Sequence, residues 1–361
     1  MRGVIRRTAR PIRPLAACIW TSALLTLAAA PASAQTESAQ PIVIAVTDLG
    51  LPGAFDEVRI NDRGLVFGVD SAGLNFVLDT RTGAFDGSLP PPSIGPFDIN
   101  KRGEVVGVYD APRSFGGIQG ALWTQEDGRQ LSSTFLPRGI NQHGDMAGNC
   151  IIGIDQVGPP CLLIRGRHDD LDSGVIHVID VVPDTANLVA INDHGVAVGN
   201  AYYPDGSVRA FTWSMTDGVR FLDAPPSTSS VATAINSHGQ IAGAIQNENV
   251  SHAAMWLAGS GAIDAELTTL NGFATAINDH GVLLVITLTG QLACDVWVPS
   301  RNIVATLPPA DPTASGVFAA DINNRGEIIG TQYHAGPDGG ALSTQLIMWE
   351  VAIRGAHQQV R

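Results

Sequence analysis

The sequence predicts an all-β, seven-bladed β-propeller in which an N-terminal strand completes the last blade. Three observations carry that expectation. Ile-Asn-x-x-Gly occurs seven times, with its Asn at Asn61, Asn100, Asn141, Asn192, Asn236, Asn278 and Asn323. The spacings of 39, 41, 51, 44, 42 and 45 residues approach the period of one four-stranded blade. A bulky apolar residue also recurs in one register, at Leu78, Trp123, Ile164, Trp213, Trp256, Trp297 and Trp349. Finally, the last repeat lacks a fourth strand, while a strand-like segment, Ile42 to Leu51, precedes the first Asn.

Residues 1–34 read as a signal peptide. Arg2, Arg6, Arg7, Arg10 and Arg13 form a basic lead, Leu15 to Ala30 is apolar, and Ala32-Ser33-Ala34 supplies small residues for cleavage. That apolar run is short for a membrane span. Residues 35–41 are a short linker, residues 42–354 the propeller, and residues 355–361 a tail.

Within each repeat, Asn-x-x-Gly reads as a hairpin turn. The Asn side chain accepts backbone N–H groups at the turn start, and Gly64, Gly103, Gly144, Gly195, Gly239, Gly281 and Gly326 take the left-handed position. A second Gly follows seven residues after the Asn in every repeat except at Val285. The alternating segments flanking the turn supply two strands, such as Val231 to Asn236 and Val196 to Tyr203. The Trp position lies on a third strand, where one ring per repeat is what packing between blades requires. A fourth strand ends near proline, as at Leu89-Pro90 and Leu307-Pro308. Seven such units in one domain make a propeller pattern.

Removing the first 34 residues leaves 16 basic and 34 acidic residues, a net charge of −18. Such a surface repels phosphate backbones, so nucleic-acid binding is excluded as a working reading. No second apolar run follows the signal, so stable membrane insertion is not expected. The product is expected to be secreted or periplasmic after cleavage near Ala34. In an oxidising compartment Cys150 and Cys161 can bridge, and their two-residue offset from direct opposition leaves that pairing open. Cys294 shares its repeat slot with Cys161, Ala210 and Ala253 and reads as a small buried residue.

The repeat resembles the HAF-type extracellular repeat family. The resemblance rests on Arg209-Ala210-Phe211-Thr212-Trp213, Ser251-His252-Ala253-Ala254-Met255-Trp256, Asp48-Leu49-Gly50 and the seven Ile-Asn segments. It spans the chain beyond the signal, although no repeat keeps the full His-Ala-Phe triplet. It implies an exported repeat protein and brings no catalytic residues.

Two sets of candidate binding residues follow from the register. The residue before each turn Gly is basic: Arg63, Arg102, His143, His194, His238, His280 and Arg325. Equivalent turns gather on one face of a propeller, so these form a candidate ring near the axis for an anion or for pH sensing. Tyr109, Tyr202, Tyr203 and Tyr333 lie nine to eleven residues after a repeat Asn, at the opposite face. Loops read over Asp110 to Gly120, Asn149 to Pro160 and Thr331 to Ala341 would join them in a recognition surface. Asp98 and Asp321, each just before a repeat Ile, could meet near the axis, or equally be solvated or hydrogen-bonded strand residues. No nucleophile elbow, P-loop or His-Glu-x-x-His is present, so no catalytic residue, metal or cofactor is assigned. The reading is an exported, non-catalytic binding or scaffold propeller for a glycan, envelope polymer or protein. A propeller hydrolase or lyase with an axial site, and a structural envelope protein, are the alternatives.

Overall fold

The computed structural model describes residues 42–353, apart from 53–57, 71, 88–94, 111–116, 154–155, 166–170, 172–173, 182–184, 248–249, 289–291 and 336–342. The expected signal peptide, linker and tail therefore lie outside the described residues. Among those described, the chain forms seven antiparallel four-stranded sheets arranged as blades around one axis. The fold is a seven-bladed β-propeller, as the repeat predicts.

The innermost strand of each blade leads into a repeat Asn. In chain order these strands are Val58–Ile60, Gly95–Ile99, Phe135–Ile140, Ala186–Ile191, Ser229–Ile235, Gly272–Ile277 and Gly316–Ile322. We number blades I to VII by them. Blade VII is closed by the other end of the chain: Ile42–Pro52 pairs with Ser343–Ile353, with Val46 opposite Trp349. Ile42 is buried there in a cluster with Ile328, Ile347 and Trp349.

The Asn of each repeat explains why that residue is needed. Each one is buried, and its Oδ1 accepts the backbone N–H groups two and four residues on, at 2.9–3.1 Å. Its Nδ2 donates to the backbone carbonyl of the next blade's Asn, at 2.9–3.3 Å, from Asn61 to Asn100 and on around to Asn323, which donates to Asn61. Seven bonds thus close a complete ring. Aspartate could make the turn contacts but would lack the donor.

Both glycines of the repeat have separate causes. The first sits at φ between +69° and +93° in all seven turns, where a Cβ is strained. The second faces a bulge. In blades II to VII the register of the innermost strand slips once, so that residues such as Phe97, Arg138 and Val189 are skipped in the ladder. A Cβ at Gly107, Gly148, Gly199, Gly243 or Gly330 would stand 1.9–2.1 Å from a carbonyl oxygen of that strand. Val285, the exception in blade VI, is itself buried, and nothing in the structure explains its tolerance.

The repeated Trp positions are core, as expected. Trp123, Trp256, Trp297 and Trp349 are buried, and Trp213 packs partly against its blade's core. Trp256 and Trp349 donate their indole N–H to Asp223 and Pro308 carbonyls on the preceding blade-to-blade connection.

Candidate functional site

In blades II to VII the bulged residue lines the opening around the axis, joined in all but blade III by the residue after it. Around that axis lies a cavity of about 290 Å³, lined by all seven innermost strands. The repeat breaks down there. One residue before the Ile, blades III to VI carry Gly139, Ala190, Ala234 and Ala276, whereas blades VII, I and II carry Asp321, Arg59 and Asp98. Adjacent to these, blade II contributes Phe97 and blade III Arg138. One arc of the cavity is therefore charged and the other small and mostly apolar.

On the charged arc, acid and base alternate from blade to blade. Asp321 accepts the N–H of Ile60 on Oδ2 at 3.0 Å and of Ile322 on Oδ1 at 2.8 Å. Asp98 does the same for Ile140 at 2.9 Å and Ile99 at 2.8 Å. Each carboxylate thereby also links its blade to the next. Arg59 stands between them, donating from Nε to the Phe97 carbonyl and from Nη1 to the Val58 carbonyl, both at 2.7 Å. The Arg138 guanidinium lies 4.0 Å from the centre of the Phe97 ring, a cation–π contact.

Burial dominates the protonation of both acids. It raises the Asp98 carboxyl above its ordinary range against the opposing N–H groups and Arg59. It pushes Asp321 to about 6, with the Asp98 charge adding to the effect and Arg59 and two N–H groups opposing it. Both acids line the axial cavity, but Arg59 is set between them and each is also a hydrogen-bonded strand residue.

A second polar layer forms the mouth. It consists of the residue following each repeat Asn: Asp62, Lys101, Gln142, Asp193, Ser237, Asp279 and Asn324. Backbone N–H groups reach the next blade's side chain in five places, including Gln142 to Asp193 at 2.9 Å and Asn324 to Asp62 at 2.7 Å. Lys101, the single lysine of the chain, pairs with Asp62 at 3.0 Å. That hydrogen bond, with Asp193 and Asp279 nearby, raises its pKa.

The predicted basic ring lies one residue further out. Arg63, Arg102, His143, His194, His238, His280 and Arg325 share one face and are all exposed, and none lines the axial cavity. Arg102 turns to Glu104 at 2.5 Å, Arg325 turns to Glu327, and a His280 ring nitrogen meets the Asn324 carbonyl at 3.0 Å. Glu104 also holds the buried Arg165 of blade III at 2.5 Å.

The tyrosines do not converge. Tyr109 is on blade II, Tyr202 and Tyr203 on blade IV and Tyr333 on blade VII. Tyr109 packs against the core near Phe67 with Arg129 over its ring, Tyr203 packs against its blade's core, and the Tyr333 hydroxyl covers Gly316. One of their expected loops is largely strand: Met146–Gly153 and Gln156–Ile164 form a long hairpin across Asn149 to Pro160. Cys161 faces Gly148 there, and register slips beyond Asn149 bring Cys150 to a Cα separation of 5.7 Å, where the two are disulfide-bonded. Among the described residues, no cluster of three or more His, Cys, Asp or Glu has the arrangement of a metal site.

Sequence reasoning missed Arg59, Phe97, Arg138 and the mouth layer. For Arg59 the signal was a departure from the repeat, at a position where four of seven blades carry Ala or Gly, whereas Phe97, Arg138 and the mouth layer occupy positions that vary from blade to blade.

No family model and no curated protein matches the chain. Among solved structures, the fold is similar to that of a puromycin hydrolase S511A mutant complexed with PGG, with TM-score 0.54 and 13% identity over 86% of this chain and 54% of that one. The chain thus spans about half the length of that hydrolase. The β-propeller domain of Cps50 (Swd1) from Myceliophteria thermophila is matched over its full length and 86% of this chain, at 13% identity and TM-score 0.49. At such identities the likeness is one of fold alone.

Proposed function

We propose that this chain is an exported, non-catalytic binding propeller whose ligand occupies the axial opening. One observation carries the proposal: Asp321, Arg59, Asp98, Phe97 and Arg138 converge on one cavity at the positions where the repeat is broken. Repeat symmetry maintained for packing would favour, directly before the Ile, the Gly or Ala that blades III to VI carry there. Convergent polar groups in a preformed concave site are the usual mark of ligand binding. The Cys150–Cys161 disulfide supports an oxidising compartment, in keeping with the basic, apolar and small-residue order of residues 1–34 and with the HAF-type resemblance. A thermal-shift screen of saccharides, peptides and envelope fragments tests it, run in parallel on Ala234→Leu, which fills the cavity from its apolar side. Ligands that stabilise the wild type and not the variant support the axial site. Ligands that stabilise both equally remove it.

A hydrolase or lyase acting at the same opening is the second reading. Its support is a carboxyl with a pKa of about 6 beside a second carboxylate, a pairing suited to acid–base work. Against it, all four carboxylate oxygens already accept backbone N–H groups. Turnover of a bound ligand, abolished in Asp321→Asn with binding retained, would establish this reading in place of the first.

A further inference from the structure

We infer that the axial cavity selects a single neutral, hydroxyl-rich sugar ring, either a free monosaccharide or the terminal residue of a glycan. This inference rests on the axial-site reading above and deepens it.

Size comes first. A cavity of about 290 Å³ lies at the lower end of the range for small-molecule sites, roughly 300–1,000 Å³. It suits one ring and not a length of polymer.

Charge comes next. On the deep arc two guanidinium groups, Arg59 and Arg138, balance two carboxyl groups, Asp98 and Asp321. The mouth carries Asp62, Asp193 and Asp279 against Lys101. An anion must pass that acidic layer and then finds Arg59 set between the two deep carboxyl groups and Arg138 stacked on Phe97. A cation finds the charge of the deep acids already balanced by Arg59 and Arg138, and the mouth acids engaged: Asp62 by Lys101 and Asn324, Asp193 by Gln142, and Asp279 by Ser237 and Asn324. Net neutrality in the ligand avoids both costs.

Hydrogen-bonding pattern then distinguishes among neutral ligands. Each carboxylate oxygen has two lone pairs, and each accepts one backbone N–H, so acceptor capacity remains. Arg59 uses Nε and Nη1 on carbonyls and retains Nη2. Acceptors and donors therefore alternate along one arc. A hydroxyl both donates and accepts, so a row of adjacent hydroxyls matches an alternating row of carboxylate and guanidinium. The facing arc of Val189, Ala190, Ala234 and Ala276 offers a low, mostly apolar wall, with the hydroxyl-bearing Thr233 and Thr275 set in it. A pyranose has the same two-sided character, with hydroxyls along its edge and C–H groups on its faces.

The test is isothermal titration of the disulfide-bonded chain with neutral hexoses (glucose, galactose, mannose), their methyl glycosides, the matching uronic acids and amino sugars, and free amino acids. At least one neutral hexose or its methyl glycoside should bind, with the matching uronic acid and amino sugar at least tenfold weaker. Binding of the methyl glycoside but not the free sugar assigns the ligand to a glycan end, and the reverse assigns it to a monosaccharide. Asp98→Asn keeps an acceptor for Ile140 and should lose roughly tenfold to a hundredfold in affinity, the worth of a hydrogen bond to a charged group. Ala234→Leu should abolish binding, and Tyr202→Ala with Tyr203→Ala should leave it unchanged. If Ala234→Leu fails to fold, the near-isosteric Asp98→Asn decides alone. Failure of every neutral sugar to bind overturns the inference. A charged ligand lost in Ala234→Leu would overturn the sugar assignment while leaving the axial site in place. A sugar that ignores Ala234→Leu and is lost in the tyrosine variant would overturn both.

Discussion

Replacing Asn278 with alanine isolates the hydrogen-bonded ring, because the contacts of that side chain are few and defined. Its Nδ2 donates to the Asn323 carbonyl at 3.1 Å, and its Oδ1 accepts from His280 and Val282 at 3.0 and 3.1 Å. Asn278 is only 3% exposed, so water cannot take over these partners without opening the turn. Three buried hydrogen bonds at about 1 kcal/mol each give a loss of roughly 3 kcal/mol. With an unfolding entropy near 2.1 cal/mol/K per residue over a domain of this length, that is a fall in Tm of about 4–5 °C. Calorimetry on the wild type, Asn278→Ala and the neighbouring His280→Ala provides the measurement. His280 is exposed with one ring contact, and its removal should shift Tm by less than about 1 °C. Asn192→Ala should match Asn278→Ala, since its three bonds, at 3.0–3.2 Å, are the same. If both Asn variants behave like His280→Ala, the ring contributes nothing and the reason given for the repeated Asn is wrong.

Three other outcomes follow from the geometry. Gly243→Ala places a Cβ 1.9 Å from the Val231 carbonyl and should leave little folded protein, whereas Gly195→Ala, with open space but φ +73°, should cost only about 1–2 kcal/mol; comparable soluble yields and Tm values would refute the bulge explanation. Asp321 holds its proton up to about pH 6 in the fold and to about 3.8 when unfolded, so its contribution to stability is greatest below pH 4, falls as pH rises toward 6 and is level above. That difference amounts to roughly 3 kcal/mol, and urea unfolding of the wild type should lose it relative to Asp321→Asn between pH 4 and 7; parallel profiles would contradict it. Cys150→Ala with Cys161→Ala, using the residue that blades IV and V carry at the Cys161 slot, opens a crosslink of sequence separation 11. It should lower stability by roughly 2–3 kcal/mol in calorimetry, and reductant should lower the wild type equally while leaving the variant unmoved.

The blades were legible because their determinants are local and repeated. Gly at the turn, Asn at its start and Trp on the third strand each answer a requirement within one repeat. The closing strand was legible by subtraction, since Ile42 to Leu51 had no repeat and the last repeat lacked a strand. The second role of Asn was not, because the carbonyl that its Nδ2 meets belongs to another blade, 39 to 51 residues away in six repeats and 262 away where the ring closes. The hairpin bearing Cys150 and Cys161 is expected from the sequence, but its strands run further through Asn149 to Pro160 than expected, because Gly153, Gly158, Pro159 and Pro160 interrupt the strand pattern. The axial residues escaped for a different reason. Searching for a repeat rewards what recurs, and Arg59, Phe97, Asp98, Arg138 and Asp321 are the places where it does not. Asp98 and Asp321 were visible as a pair, but the Arg59 between them becomes apparent only when blades VII, I and II stand side by side.

A crystal structure of the chain with a ligand selected by the binding screen tests the central claim most directly. The ligand should lie on the propeller axis, bonded to Arg59 and Asp98 on one side and packed against Ala234 and Ala276 on the other. A ligand seated beside Tyr202 and Tyr203, with the axial side chains in place as before, would contradict it.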